Sequence, residues 1–180
     1  DIHTHNMKMA GLTDRDQAKT FIYSFMYGAG PAKIGQVVGG GSKEGNVLID
    51  RFLKSMPSLK RVRDIVTSTA EKHGIITGID GRLLRTRSPH SALNTLIQGA
   101  GAVVCKLWLV NIMKRTNASK LDVKLVASVH DEYQFEVVNK NVQSFCNITK
   151  YAMKDTEKQL QMRCPLDNEY KVGKTWAETH

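Results

Sequence analysis

The chain has 180 residues, of which 41% are hydrophobic, and this is enough for one domain of ordinary size with its own core. Its formal net charge of +9 favours an acidic partner, nucleic acid before an anionic membrane surface, although a basic protein without such a partner would have the same charge. The three scattered cysteines argue against a disulfide framework, and the sequence shows neither a signal peptide nor an apolar run of about 20 residues that would span a membrane.

Residues 13–74 are predicted to be mainly helical. A helix is expected over residues 13–27, because apolar residues recur there at helical spacing, Thr13 or Asp14 can cap its start and Gly28 follows its last turn. Pro31 suits the start of a short helix. The predicted helices after residue 28 are Pro31 to before the glycines at 39–41, Ser42 to about Met56, and Pro57 to Gly74.

From Ile75 the pattern changes to short β-branched runs. Asp80-Gly81 between two of these runs predicts a hairpin. Pro89 begins a long and strongly apolar helix that we expect to be largely buried. The remaining predicted elements are strands at 123–129 and 133–138, a helix at 141–161 and a short strand at 170–172. The predicted fold class is therefore α+β, with helices first and a small antiparallel sheet later.

The helix at 13–27 carries a polar stripe made of Arg15, Lys19, Tyr23 and Tyr27. Steps of four residues advance about 400° around a helix, so these side chains share one face. Two cations near a helix N-terminus oppose the helix dipole unless a polyanion lies against them, and the two phenols could pack on a sugar or a base. The alternative is a solvated face with two half-buried aromatic rings.

A second pattern, Val129-His130-Asp131-Glu132, lies between two β-rich runs. Adjacent acids in a tight turn repel each other, and a bound divalent cation with a preference for hard oxygen ligands, such as Mg²⁺, would resolve that conflict. The alternative is an aspartate that suits the turn, with a solvated glutamate beside it.

A third pattern places His90, Asn94 and Gln98 at steps of four on the long apolar helix. Amides on a buried helix need hydrogen-bond partners, which the edge of a base pair could supply. A polar seam that is bonded internally to protein is the alternative.

In this order, the three patterns resemble the motifs of family A DNA polymerases. Arg-x3-Lys-x3-aromatic-x3-Tyr-Gly is similar to the fingers-helix motif, and Val-His-Asp-Glu is similar to the palm carboxylate motif. Asp1-Ile2-His3-Thr4 and Arg87-Ser88-Pro89-His90 look closest to phage replicative polymerases of the podovirus type. The similarity extends over essentially the whole chain, including an ending, 176–180, like that of the family.

The resemblance implies a subdomain for each half of the chain. Residues 1–74 would be fingers helices, with the nucleotide-binding helix at 13–27. Residues 75–180 would be the remainder of the fingers and the C-terminal half of the palm, with the metal-binding hairpin near 129–132.

The resemblance also implies how an incoming dNTP is bound. His3, Arg15 and Lys19 would hold the triphosphate, with Lys19 also counted among the catalytic residues. Tyr23 would pack against the nucleotide sugar.

Five residues would then contact primer–template DNA: Tyr27, His90, Asn94, Gln98 and His130. Tyr27 would lie near the templating base, while Asn94 and Gln98 would touch the minor-groove edge of the new duplex. Of the two catalytic acids, Asp131 would bind a metal and Glu132 would lie beside it. The cofactor would be Mg²⁺ in a two-metal mechanism, with Mn²⁺ as a substitute.

The family's other palm aspartate lies upstream of the Asp-Ile-His segment, so we expect catalysis to need an upstream polymerase segment, on the same or a separate chain. The implied function is that of a C-terminal catalytic part of a template-directed DNA polymerase. It would work in a bacterial or phage-infected cytoplasm, without a membrane partner. A non-catalytic DNA-binding module and a structural helical domain are the competing hypotheses.

Overall fold

The computed structural model describes residues 2–179, with side chains described from Thr4 to Thr179. The fold is mainly helical with two small antiparallel sheets, which confirms the predicted class. The helices are α1 (Ile2–Ala10), α2 (Arg15–Met26), α3 (Pro31–Gln36), α4 (Ser42–Ser55), α5 (Pro57–His73), α6 (Ala92–Ala118), α7 (Val142–Gln159) and α8 (Trp176–Thr179). The strands are β1 (Ile75–Thr77), β2 (Leu83–Arg85), β3 (Val123–Val129) and β4 (Glu132–Val137).

The chain divides into two compact units, Asp1–Gly99 and Ala100–His180, which we call the first and the second unit. The first unit has an aromatic core. The ring of Phe52 on α4 lies edge-on to Phe21 and Phe25 on α2, with centroid separations of 5.2 and 5.5 Å. All three rings are buried, so α2 has one face fixed in the core and the opposite face available.

Two glycines allow α3 to pack closely on α4. A Cβ atom at Gly35 would lie 1.9 Å from the carbonyl oxygen of Gly41, and one at Gly45 would lie 1.9 Å from that of Pro31. Backbone cannot move aside as a flexible side chain can, so these positions need glycine. This close packing holds the segment that follows α2.

In the second unit, α7 packs against the C-terminal half of α6 through polar as well as apolar contacts. Trp108 Nε1 donates to the carbonyl oxygen of Thr149 at 2.9 Å, and Asn111 Nδ2 donates to Thr156 Oγ1 at 3.0 Å. Arg115 pairs with Asp155 through two hydrogen bonds of 2.5 and 2.9 Å. These bonds fix the helix pair beside which strands β3 and β4 lie.

The predicted helices from residue 13 to residue 74 and the two predicted hairpins are confirmed, with ends that differ by a residue or two. The predicted strand at 170–172 is wrong. Its segment makes no strand in the described chain, because it lies along α7, where Lys150 sits over the Tyr170 ring at 5.5 Å and Asn168 Nδ2 donates to Thr149 Oγ1 at 3.2 Å. Helices α1 and α8 were not predicted.

Helix α6 is less buried than its sequence predicts. Leu93 and Ile112 are buried, whereas Val103 and Val104 are only half-buried. By length and composition alone, residues 89–118 could cross a membrane, which corrects the expectation that no such segment exists. Core helices of water-soluble proteins meet the same criterion, and α6 bonds to α7 through Asn111 and Arg115, although only 22% of its apolar window is buried in the described chain.

Candidate nucleotide-binding and metal-binding sites

The stripe of α2 faces away from the core. Arg15 and Lys19 are exposed, while Ala18 on the opposite face is fully buried. The rings of Tyr23 and Tyr27 retain 47% and 61% exposure. The four-residue spacing therefore produces an accessible row of two cations followed by two phenols, as the sequence predicts.

The start of α2 is capped by a carboxylate. Asp14 Oδ1 accepts hydrogen bonds from the backbone N–H groups of Asp16 at 2.7 Å and Gln17 at 3.2 Å. Asp14 and not Thr13 is thus the cap, and Asp16 adds a second acid in the first turn. These two carboxylates favour the positive end of the helix dipole and offset the cost of placing Arg15 there.

The two phenols of the stripe form a pair. The rings of Tyr23 and Tyr27 are stacked, with centroids 6.3 Å apart and planes inclined by 14°. Stacked rings at this separation stabilise each other, so the pair presents one flat, half-exposed aromatic surface. Such a surface can take a sugar or a base against it.

The His90–Asn94–Gln98 row is divided by the structure. His90 and Gln98 are exposed, whereas Asn94 is half-buried and its Nδ2 donates to the carbonyl oxygen of Met26 at 3.1 Å. For Asn94, the internal hydrogen bond that was the alternative interpretation is therefore present. Contacts of all three residues with DNA stay predictions.

His130 and Asp131 form the two-residue turn between β3 and β4, which is closed by the Val129–Glu132 pair. His130 has a φ of 53°, in the left-handed region that glycine favours. A non-glycine residue in this region costs about 1–2 kcal/mol. The sequence nevertheless has a histidine here, at a turn position where glycine is common. The turn leaves Asp131 exposed.

Glu132 is engaged within the protein. Gln134 Nε2 donates to Glu132 Oε1, and Thr179 Oγ1 on α8 donates to Gln134 Oε1 at 3.3 Å. Helix α8 is thus connected to the strand that carries the second acid. This connection could not be read from the sequence, because Thr179 and Gln134 are 45 residues apart.

Two neighbours of Asp131 were missed in the sequence. Burial raises the pKa of the Cys105 thiol, and the negative charge of Asp131 raises it further. The pKa of the Tyr133 phenol is raised by burial, by Cys105 and by Asp131. The Tyr133 ring also packs on the Trp108 ring, with centroids 5.5 Å apart, so α6 supports the strand next to the turn. The aromatic residue directly after the two acids was the available signal.

The donor set for a metal is only partly present in the described chain. Asp131 and Glu132 supply the hard oxygen ligands that Mg²⁺ prefers. Between Thr4 and Thr179, however, no group of three His, Cys, Asp or Glu side chains could hold an ion. Asp131 and Glu132 therefore fit a metal site as a part of it and not as the whole. The side chain of His3, the remaining predicted triphosphate ligand, lies outside the described residues.

The family model for DNA polymerase family A matches residues 1–178. The chain belongs to DNA polymerase family A. The matched range includes both the exposed cation–tyrosine row and the acid-bearing turn.

Curated relatives agree with this assignment. A DNA-directed DNA polymerase of Escherichia phage Phieco32 is 43% identical over 187 residues, and that of Escherichia phage T7 is 39% identical over 201 residues. A DNA polymerase I of Bacillus caldotenax is 28% identical over 176 residues and matches 91% of this chain. The alignments cover all of this chain but only 30% of the Phieco32 polymerase and 29% of the T7 polymerase.

A solved structure has the same fold. It is the POL domain of Pol1 from M. smegmatis in complex with DNA primer-template and dNTP, which is similar with a TM-score of 0.76 and 21% identity. The likeness covers 87% of this chain and 31% of that domain chain. The architecture described above is therefore that of a segment of a polymerase domain.

Proposed function

We propose that this chain forms the nucleotide-binding part and one portion of the metal site of a template-directed DNA polymerase. Arg15, Lys19 and His3 bind the triphosphate of the incoming dNTP, and Tyr23 packs on its sugar. Tyr27, His90, Asn94, Gln98 and His130 contact the primer–template. Membership of the family and the names of the phage relatives support this proposal.

The observation that carries the proposal is the exposed row on α2. Two tyrosine rings remain 47% and 61% exposed, and two exposed cations lie beside them on the same face of the helix. A dNTP has a polyanionic end for the cations and a flat sugar and base for the rings. Guanidinium and ammonium groups suit phosphate oxygens, and Tyr stacks on apolar ring faces.

The residues of the chain bind and orient the reactants. The cations of α2 hold the triphosphate so that its α-phosphate meets the primer 3′-hydroxyl, and positioning of this kind supplies much of the rate in phosphoryl transfer. Asp131 is the residue that would hold Mg²⁺, with Glu132 beside it. When bound, the ions would stabilise the attacking and leaving oxygens. The remaining carboxylate ligands come from the upstream polymerase segment.

A non-catalytic DNA-binding module is the second candidate function, and the net charge of +9 favours it equally. Both hypotheses predict DNA binding that weakens steeply with salt. Only the polymerase hypothesis predicts that dNTP and a divalent cation are needed for a chemical product. Formation of an extended primer, and not DNA affinity, therefore distinguishes the two candidate functions.

The experiment is primer extension with the 180-residue chain alone and with the upstream segment of the polymerase added, in trans or as one longer chain. Extension should need the upstream segment, all four dNTPs and Mg²⁺, with Mn²⁺ able to replace it. Asp131→Asn should reduce extension by about a thousandfold or more, since the metal contributes several kcal/mol. Asp122→Asn, an exposed acid of the same unit, is the matched control.

Three results would count against the proposal. They are extension that persists in Asp131→Asn, no extension by the completed chain, and robust extension by the 180 residues alone. The last would mean that the metal ligands are complete within this chain. On the proposed function, the protein acts in the cytoplasm of a bacterium or of a phage-infected bacterial host, without a membrane partner.

A further inference from the structure

The last turn of α2 is closed by a side chain from a distant helix. The final four carbonyl groups of an α-helix have no acceptor role within the helix and need other donors. In α2, the carbonyl oxygens of Tyr23, Ser24 and Phe25 accept from the backbone N–H groups of residues 27, 29 and 28, at 2.9, 2.9 and 3.1 Å. The fourth carbonyl, that of Met26, accepts from Asn94 Nδ2 at 3.1 Å.

The same region of the chain packs closely on the turn after α2. A Cβ atom at Gly28 would lie 3.8 Å from Asn94 Cβ and 3.8 Å from the carbonyl oxygen of His90. Asn94 and His90 therefore lie beside Gly28, the second residue after α2, at distances that leave room for one carbon atom. Tyr27, whose ring stacks on Tyr23, is the residue between the capped Met26 carbonyl and Gly28.

We propose that Asn94 is a positioning residue that caps the C-terminus of α2 and thereby fixes the orientation of the Tyr23–Tyr27 pair. This role is separate from the DNA contact proposed for Asn94: one N–H of its Nδ2 is directed to Met26, while the amide also carries a second N–H and an acceptor oxygen. The row on α6 then has two kinds of member. His90 and Gln98 are exposed to a ligand, and the half-buried Asn94 between them bonds to the nucleotide-binding helix.

This arrangement couples the two binding surfaces of the first unit. DNA bound at His90 and Gln98 would contact the segment formed by His90 and the first turns of α6, and this segment also holds the end of α2. Fixing α6 would strengthen the cap and so favour the tyrosine orientation that receives a nucleotide. The inference rests on the proposed function for the identity of the ligands, but the cap itself is a property of the chain alone.

Hydrogen exchange in the 180-residue chain tests the cap without any activity measurement. Asn94→Asp removes the Nδ2 donor at nearly constant size, and Asn94→Ser removes it without adding a charge. Both variants should accelerate exchange of the amides of residues 27–29 by about tenfold, as the loss of one hydrogen bond predicts. Gln98→Glu, the same chemical change one turn later on α6, should leave these amides unchanged.

The amides of α4 and α5, measured in the same sample, separate a local from a global effect. Unchanged exchange at residues 27–29 in both Asn94 variants would overturn the inference. An equal acceleration in α4 and α5 would also overturn it, because Asn94 would then stabilise the whole unit and not the end of α2.

Kinetics of the completed polymerase test the positioning role. Asn94→Asp should raise KM for the dNTP by about tenfold, whereas the main effect of Gln98→Glu should be weaker primer–template binding. A purely structural defect would lower the amount of active enzyme and not KM. Weaker primer–template binding in Asn94→Asp, with KM for the dNTP and exchange at residues 27–29 both unchanged, would make Asn94 a DNA contact alone and overturn the inference.

The two proposals fail in different ways. If the completed wild-type polymerase extended no primer, the proposed function would fail, and exchange at residues 27–29 would still decide whether Asn94 caps α2. If exchange did not respond but extension were robust, the cap would fail and the polymerase function would stand.

Discussion

The two units of the chain support their candidate sites with very different cores. Among the described residues, the core cluster of the first unit contains thirteen buried residues, and that of the second contains three: Ile112, Phe145 and Ala152. The nucleotide-binding row lies on a helix whose inner face belongs to the larger core. The acid-bearing turn joins two strands, and on the first of them Leu125, Val126 and Val129 are 40%, 67% and 37% exposed.

The two sites therefore differ in the contacts that fix their geometry. Helix α2 has a buried aromatic face, a carboxylate cap at its start and an amide cap at its end, so its outer row is fixed by many contacts. A two-stranded hairpin is marginally stable by itself. The turn with Asp131 therefore depends on a few contacts, chiefly Trp108 with Tyr133 at 5.5 Å and Phe135 with Phe145 at 4.8 Å.

The largest effect that tests this comparison is on stability. Phe52→Ala should destabilise the first unit by about 3–5 kcal/mol, because it leaves a cavity between two buried aromatic rings. Phe145→Ala in the second unit should cost less, since Phe135 beside it is only half-buried and can move into the space. Hydrogen exchange resolved by residue, with urea unfolding, measures both. An equal or larger loss for Phe145→Ala would contradict the comparison.

The next effect is on nucleotide binding. Lys19→Ala in the completed polymerase should weaken dNTP binding by about 1.5–3 kcal/mol, the range for hydrogen bonds to charged groups, while duplex affinity, spread over many cations, changes little. Single-turnover kinetics over a range of dNTP concentrations and a DNA-binding titration measure the two separately.

Lys33→Ala on α3 is the control for this substitution, because Lys33 is an exposed lysine of the same unit outside the row. It should change neither quantity. Equal losses of dNTP binding and DNA binding in Lys19→Ala would mean that the row faces the DNA backbone.

Much of the first unit could be predicted from the sequence because its signals are local. Asp14, the prolines at 31 and 57 and the glycine at 74 mark the helix ends, and the stripe of α2 follows from spacing alone. The cap from Asn94 could not be predicted, because it joins residues 68 positions apart. The pattern at 90, 94 and 98 showed an amide in need of a partner and left the partner open.

In the second unit the turn was predicted and its surroundings were not. Val-His-Asp-Glu marks the hairpin, but the irregular register between Leu125 and Ala127 leaves no trace in an apolar run. The expected strand at 170–172 failed because β propensity does not say whether a partner strand is adjacent. The burial of α6 was overestimated for a similar reason, since an apolar sequence does not say what covers it.

A smaller effect concerns the strained turn. His130→Gly should stabilise the second unit slightly, by at most about 1 kcal/mol. It relieves the cost of a positive φ, but the greater backbone entropy that glycine loses on folding offsets part of this gain. In the completed polymerase the same change should lower extension, since it removes a side chain proposed to contact the primer–template. Thermal unfolding and primer extension together measure the two opposite effects.

Gln161→Gly is the matched control for this turn. Gln161 has a φ of 51°, near that of His130, but follows the end of α7, away from the turn. It should give a similar gain in stability and no loss of extension. If His130→Gly left extension unchanged, the proposed contact of the His130 side chain with the primer–template would have to be given up.

The smallest effect is a pH dependence of the bonds that hold α6 to α7. Hydrogen bonds from Arg115 lower the pKa of Asp155 below its ordinary value of 3.8. A carboxyl whose pKa is lower in the folded protein contributes stability above its unfolded pKa and loses it as the pH falls through the folded value. Both side chains are about one third exposed, so the contribution should stay below about 1 kcal/mol. The unfolding free energy of the wild type should thus exceed that of Asp155→Asn at pH 6 and approach it below the folded pKa.

Asp64→Asn, which breaks the more exposed Lys60–Asp64 pair of the first unit, should show a smaller difference. A difference between wild type and Asp155→Asn that is constant with pH would show that Arg115 holds α7 by packing on Tyr151, over whose ring it lies at 5.6 Å, and not by its charge.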